Sequence, residues 1–141
     1  MEPLSLPANL SALEEIGRYV KAAAEAAGLD PKAAYGLRLA VDEIATNIIL
    51  HGYEEAGLTG NVDIAAELSP TALTVVLEDV GRPFDPRTRE LPDEEELQKS
   101  LLERPIGGLG IYLVLNGVDR FDYQRTGERN RNIFIMDRPV S

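Results

Sequence analysis

The sequence predicts an α+β fold: a two-layer sandwich in which a mixed, mainly antiparallel sheet carries helices on one face. Three observations lead there. The elements run strand, two helices, two strands, a long irregular stretch, a helix and two strands, with little of the strict alternation that a doubly wound sheet needs. Two pairs of strands are joined by short polar turns and read as antiparallel hairpins. The helices have one-sided apolar stripes, so each can cover a single side of a sheet.

Leu4-Ser-Leu-Pro-Ala8 opens the chain as a short strand, with Pro7 favouring an edge or a strand end. Ser11-Ala-Leu-Glu14 has the capping-box pattern and starts a helix there, or slightly earlier at Asn9. That helix runs to Ala27 and stops at Gly28, with Leu13, Ile16, Val20, Ala23 and Ala27 as its buried stripe. Asp30 and Pro31 then supply an N-cap carboxylate and a proline at the first helical position. The second helix is predicted over 31–51, stopped by Gly52, with Leu37, Ala40, Val41, Ile44 and Ile48 facing the core. A loop over 51–57 leads to strands at 61–68 and 73–77, turned at Ser69-Pro-Thr71. The stretch 81–104 is rich in proline and acid, with a helical turn expected at 97–102; a loop of that length is either disordered or functional, and an active-site lid, placed at about 82–106, is the usual functional case. A helix over 106–115 follows, and strands at 120–126 and 132–136 flank Gly127-Glu-Arg129. One domain, residues 1–141, is expected.

Composition narrows the function. No apolar run reaches the length of a bilayer span and the N-terminus lacks a basic leader, so a cytoplasmic protein without membrane contact is expected. The absence of cysteine removes disulfides, zinc-thiolate sites and thiol nucleophiles together. A net charge of −10 repels nucleic-acid backbones and anionic lipid. The charge is uneven: residues 1–103 carry 20 acidic and 8 basic side chains, 104–141 only 4 and 6.

Three motifs carry chemistry. Glu43, Asn47 and His51 stand four apart on the second helix, lining up a carboxylate, an amide and an imidazole beside the apolar stripe. The bland alternative is a solvated helix flank. Glu78-Asp79-Val-Gly81-Arg-Pro-Phe-Asp-Pro86 puts a carboxylate where an apolar strand meets a glycine, which suits the floor of a pocket for a flat ligand. An aspartate there accepts from an amino group such as that of adenine and opposes the keto oxygen of guanine; the alternative is an ordinary turn. Arg104-Pro-Ile-Gly107-Gly108-Leu109-Gly110-Ile places glycines at a helix start, where free N–H groups and the helix dipole favour phosphate, or else forms a hinge into a core helix.

Taken together and in this order, the motifs resemble the GHKL ATPase superfamily, and within it the bacterial anti-sigma-factor serine/threonine kinases. The resemblance rests on Leu39-Ala-Val-Asp-Glu-Ile-Ala-Thr-Asn-Ile-Ile-Leu-His-Gly-Tyr53, Gly81-Arg-Pro-Phe-Asp-Pro86 and Arg104-Pro-Ile-Gly-Gly-Leu-Gly-Ile-Tyr112, and covers nearly the whole chain. It implies the Bergerat ATP-binding fold, with ATP and Mg²⁺ bound. Glu43 would be the general base, Asn47 a ligand of Mg²⁺ and of the nucleotide, and Asp79 the acceptor of the adenine amino group, with Gly81 leaving room for the ring. Gly107, Gly108, Leu109 and Gly110 would hold phosphates through backbone N–H groups. The role of Arg104 is inferred from its place on the lid hinge and not from the resemblance: it would reach the terminal phosphate when the lid closes. Phe84 and Asn132 are further adenine-site candidates, and His51 either lines the phosphate side or caps its helix, the cap being the favoured reading.

The resemblance also implies partners: a STAS-domain anti-sigma-factor antagonist as phosphate acceptor, a sigma factor sequestered by the kinase, and a second copy in a homodimer. A nucleotide-gated partner switch without kinase activity is the competing reading, against which the intact Glu43 speaks. The catalytic half of a histidine kinase is disfavoured, because no dimerising histidine helix is seen ahead of the motifs.

Overall fold

The computed structural model describes residues 1–83 and 117–139. Five strands, β1 (Leu4–Pro7), β2 (Asn61–Leu68), β3 (Ala72–Asp79), β4 (Arg120–Thr126) and β5 (Arg129–Asp137), form one sheet in the order β1-β2-β3-β5-β4. Every pairing among the described strands is antiparallel. Helices α1 (Ala12–Ala27) and α2 (Pro31–Asn47) pack against this sheet, as expected of an α+β sandwich. The expected 97–102 turn, the 106–115 helix and nearly all of the 82–106 lid lie outside the described residues.

Local chemistry explains most boundaries. Asp30 accepts the Ala33 N–H at 2.8 Å and Pro31 occupies the first turn of α2, as its sequence dictates. Gly28 ends α1 in the left-handed conformation at φ 73°, a backbone state that costs glycine little. The Ser11–Glu14 capping box does not form. Instead Asn9 accepts the Ser11 N–H at 3.0 Å, and the first turn is already wound when α1 begins. The largest departure lies at the end of α2. Gly52 does not stop the helix, which continues from Ile48 to Glu54 as a π-helix. Strand β5 also begins three residues before its expected start.

The core forms where α1 and α2 meet the sheet. Ile16, Val20, Ala23 and Ala27 of α1 and Leu37, Ala40, Val41 and Ile44 of α2 are buried against Val62, Ile64, Leu73, Val75, Leu77, Phe134 and Met136. Phe121 of β4 closes the far side edge-on to Phe134, with ring centroids 5.2 Å apart. Strand alternation fixes what comes next. Leu73, Val75 and Leu77 point inward, so Asp79 must too; Met136 and Phe134 point inward, so Asn132 and Asn130 must as well. The register pairs Leu77 with Asn132 and Asp79 with Asn130. The inner face of the sheet therefore turns polar at one end. On the opposite face at that end, Arg129 bridges Asp63 and Glu78, which would otherwise oppose each other as like charges.

Candidate functional site

The polar end of the inner face meets the C-terminal end of α2. Ile44, Asn47, Ile48, Gly52, Asp79, Arg82, Asn130 and Asn132 line a recess there, three of them brought by β3 and β5 and four by α2 and the π-helix. Two of the three sequence motifs thus converge, through Asn47 and Asp79. The third, with Arg104, Gly107, Gly108, Leu109 and Gly110, lies outside the described residues, as does Phe84.

The π-helix shapes one wall. Its wider turn leaves the Gly52 carbonyl free of the helical ladder, and this oxygen accepts the Arg82 N–H at 2.9 Å. Gly81 lies on the same carbonyl: a Cβ at position 81 would stand 2.7 Å from the Gly52 oxygen. Glycine at 81 is therefore required by the close approach of two backbones. Tyr53, one residue past Gly52 and almost fully buried, ties this wall to the sheet. Its hydroxyl donates to the Asn61 carbonyl at 2.8 Å and accepts the Val80 N–H at 2.9 Å.

Asp79 is 3% exposed. Its Oδ1 accepts the Gly81 N–H and the Asn130 Nδ2, each at 2.9 Å. Burial pushes its carboxyl above the usual aspartate range, against the opposing pull of these two donors and of the Arg125 and Arg129 guanidiniums. Two other buried polar atoms facing the recess have no protein partner among the described residues: Asn47 Nδ2 and Asn132 Oδ1. Buried amides are ordinarily paired, so a donor and an acceptor left open in one recess mark a place for a polar ligand.

Glu43 stands one turn before Asn47, half-buried and off the recess lining. Its carboxyl is raised, first by burial and then by the neighbouring Asp42. His51 lies inside the π-helix rather than capping a helix end, because the helix runs on past Gly52. Its Nδ1 meets Glu55 Oε2 at 2.7 Å. This contact lowers the Glu55 carboxyl below its ordinary value, with Arg82 adding to the effect.

Asn130, Tyr53, Tyr123 and Arg125 carry no signal of their own in the motifs above. The available signal was Asn130 and Asn132 at the inward parity of an otherwise apolar strand. Among the described residues no three His, Cys, Asp or Glu side chains gather as a metal site. No helix among them is long and apolar enough to cross a membrane.

The histidine kinase-like ATPase domain family matches this chain over residues 6–136, and the chain belongs to that family. Its relatives include the serine-protein kinase RsbW of Staphylococcus aureus, 30% identical over 95 residues that make up 64% of this chain and 58% of that protein. The chain thus matches less than two thirds of that relative's length. The fold recurs in the SiaB–SiaC complex from Pseudomonas aeruginosa, with a TM-score of 0.63, 15% identity and coverage of 96% of this chain and 89% of that one. It recurs also in the histidine kinase domain of a blue-light-activated histidine kinase from Erythrobacter litoralis, with a TM-score of 0.56, 19% identity and coverage of 88% and 59%.

Proposed function

We propose that this protein is an ATP-dependent serine/threonine kinase of the anti-sigma-factor type. It transfers phosphate to a STAS-domain antagonist, and it also binds a sigma factor and acts as a homodimer. The observation that carries the reading is the recess in which the buried carboxylate of Asp79 meets the unpaired amide atoms of Asn47 and Asn132. The family match and the RsbW relative support it.

Asp79, held by Gly81 and Asn130, accepts the amino group of adenine and disfavours a keto oxygen at the same place. Asn47 faces the nucleotide from α2. Rotation of its carboxamide exchanges oxygen for nitrogen at the recess, so the side chain suits either a phosphate oxygen or a hydrated cation. Mg²⁺ fits such a site, since it keeps several waters and takes only one or two protein ligands beside phosphates. When bound, it supplies neutralisation of phosphate charge. Glu43 receives the proton of the attacking hydroxyl. A carboxyl raised by burial lies closer to the operating pH, where a general base works best. Arg104 and the 107–110 glycines complete the phosphate side in this reading.

The decisive experiment follows labelled phosphate from ATP to a purified STAS-domain antagonist. Glu43→Ala should keep nucleotide affinity and lose transfer by about 10²–10⁴-fold. Equal transfer by variant and parent would remove Glu43 as the base. ATP binding without transfer by the parent chain would favour the partner switch.

A further inference from the structure

One side chain in the recess has no spare hydrogen-bonding capacity. Asn130 is 2% exposed, and its Nδ2 donates to Asp79 Oδ1 at 2.9 Å and to the Gly81 carbonyl at 3.0 Å. Its Oδ1 accepts from the Tyr123 hydroxyl and from Arg125 Nη1, the latter at 2.8 Å. An amide carries two hydrogens and two lone pairs, and all four are used. The orientation is fixed: turned over, the NH₂ would meet the Arg125 guanidinium, which can only donate, and the oxygen would meet a carboxylate and a carbonyl.

The sheet register explains how this arises. Arg125, Asn130 and Asp79 occupy one rung across β4, β5 and β3. Tyr123 lies two residues along β4 on the same inner face. The terminal strand of the sheet is thereby connected, through one buried amide, to the carboxylate at the recess floor. Among the described residues both bonds to Asp79 fall on Oδ1, so Oδ2 is the acceptor presented to an incoming group.

We propose that Tyr123 and Arg125 are positioning residues that, through Asn130, fix Asp79 in the orientation that selects an adenine amino group over a keto oxygen. The inference rests on the assignment of Asp79 as the base-reading group. Were the β4 donors lost, nothing would hold the Asn130 oxygen, so the amide could tilt about its two remaining bonds and carry the Asp79 carboxylate with it. Selectivity would then fall further than affinity for nucleotides as a class. Tyr53 of the π-helix and Arg129, on the opposite face of the sheet, also act on Asp79 electrostatically, and the β4 substitutions leave both in place.

The test is titration of the full chain with ATP and with inosine triphosphate, which differs by a keto oxygen in place of the amino group. The variants are Tyr123→Phe/Arg125→Met, Arg125→Met alone and Asp79→Asn. The double variant should lose about tenfold of the ATP-over-inosine preference while keeping the parent's circular dichroism spectrum. Adding it to Asp79→Asn should change the preference no further. Should the double variant fail to fold, Arg125→Met, at an exposed position of the edge strand, carries the test with a smaller loss in the same direction. An Asp79→Asn protein with the parent's preference would defeat the base-reading assignment itself. A reduced preference in Asp79→Asn, with parental preference in the folded β4 variants, would overturn the role of Tyr123 and Arg125 alone.

Discussion

The two ends of the helix–sheet interface share the same strands and α2, yet they are built on opposite terms. At one end Leu73, Val75, Phe134 and Met136 meet α1 and α2 with no polar side chain among them. At the other, the same inward positions hold Asp79, Asn130 and Asn132, against Asn47. A register that serves packing at one end delivers functional groups at the other. The apolar end gains stability roughly in proportion to buried area. The polar end gives part of it up, because a carboxylate and two incompletely paired amides are kept from water.

The largest effect should come from the apolar end. Leu37 is fully buried between α2 and the sheet, so Leu37→Ala should cost about 2–5 kcal/mol of unfolding free energy. Chemical denaturation would measure this. A loss well under 1 kcal/mol would mean that the interface collapses around the gap and is not a close-packed wall. Nucleotide affinity in the folded fraction should hardly change.

The converse substitution is Asp79→Asn, which keeps the shape and removes the charge. ATP should bind roughly tenfold to a hundredfold more weakly, the range of a lost hydrogen bond to a charged group. The fold, however, should gain. The folded-state carboxyl is raised above its unfolded value, chiefly by burial, so between the two values the native state holds more protons. Stability from this group is fully present at acid pH and falls as pH rises through the folded value. The variant should therefore melt higher than the parent at pH 7, with the gap narrowing as pH falls toward the ordinary aspartate range. Thermal melts at several pH values decide the matter. A variant that melts lower than the parent at neutral pH would show that Asp79 supports the fold through its charge.

The apolar end was legible in the sequence because it follows from short-range rules. Asp30-Pro31 and Gly28 set helix ends through contacts a few residues long, and the stripes of α1 and α2 follow from helical spacing. The polar end was legible only in part. Asn47 and Asp79 stood out by residue type beside apolar periodicity. Asn130 did not, because its meaning depends on a strand register that joins it to Asp79, fifty-one residues away. The start of β5 was hidden for the same reason, as Arg129, Asn130 and Arg131 break the apolar alternation that marks the rest of the strand. The π-helix was missed because Gly52 reads as a stop signal. What replaces the stop is tertiary: the Gly52 carbonyl finds the Arg82 N–H and the bare backbone of Gly81.

Tyr53 stands where the two ends are joined, and its substitution should give the smallest effect of the series. The ring is buried among core side chains, while the hydroxyl links β2 to the β3 end through Asn61 and Val80. Tyr53→Phe keeps the ring and leaves a carbonyl and an N–H to find water, at a cost of about 1 kcal/mol. Both residues are exposed, so solvent can reach the gap and hold the loss near that value. If the hydroxyl serves only to join strands, unfolding free energy should fall and nucleotide affinity should stay. If it also sets the height of Asp79 above the recess, ATP affinity should fall several-fold beyond what the folded fraction explains. Denaturation and nucleotide titration of the same preparation separate the two, and the geometry favours the second outcome, since Val80 sits between Asp79 and Gly81.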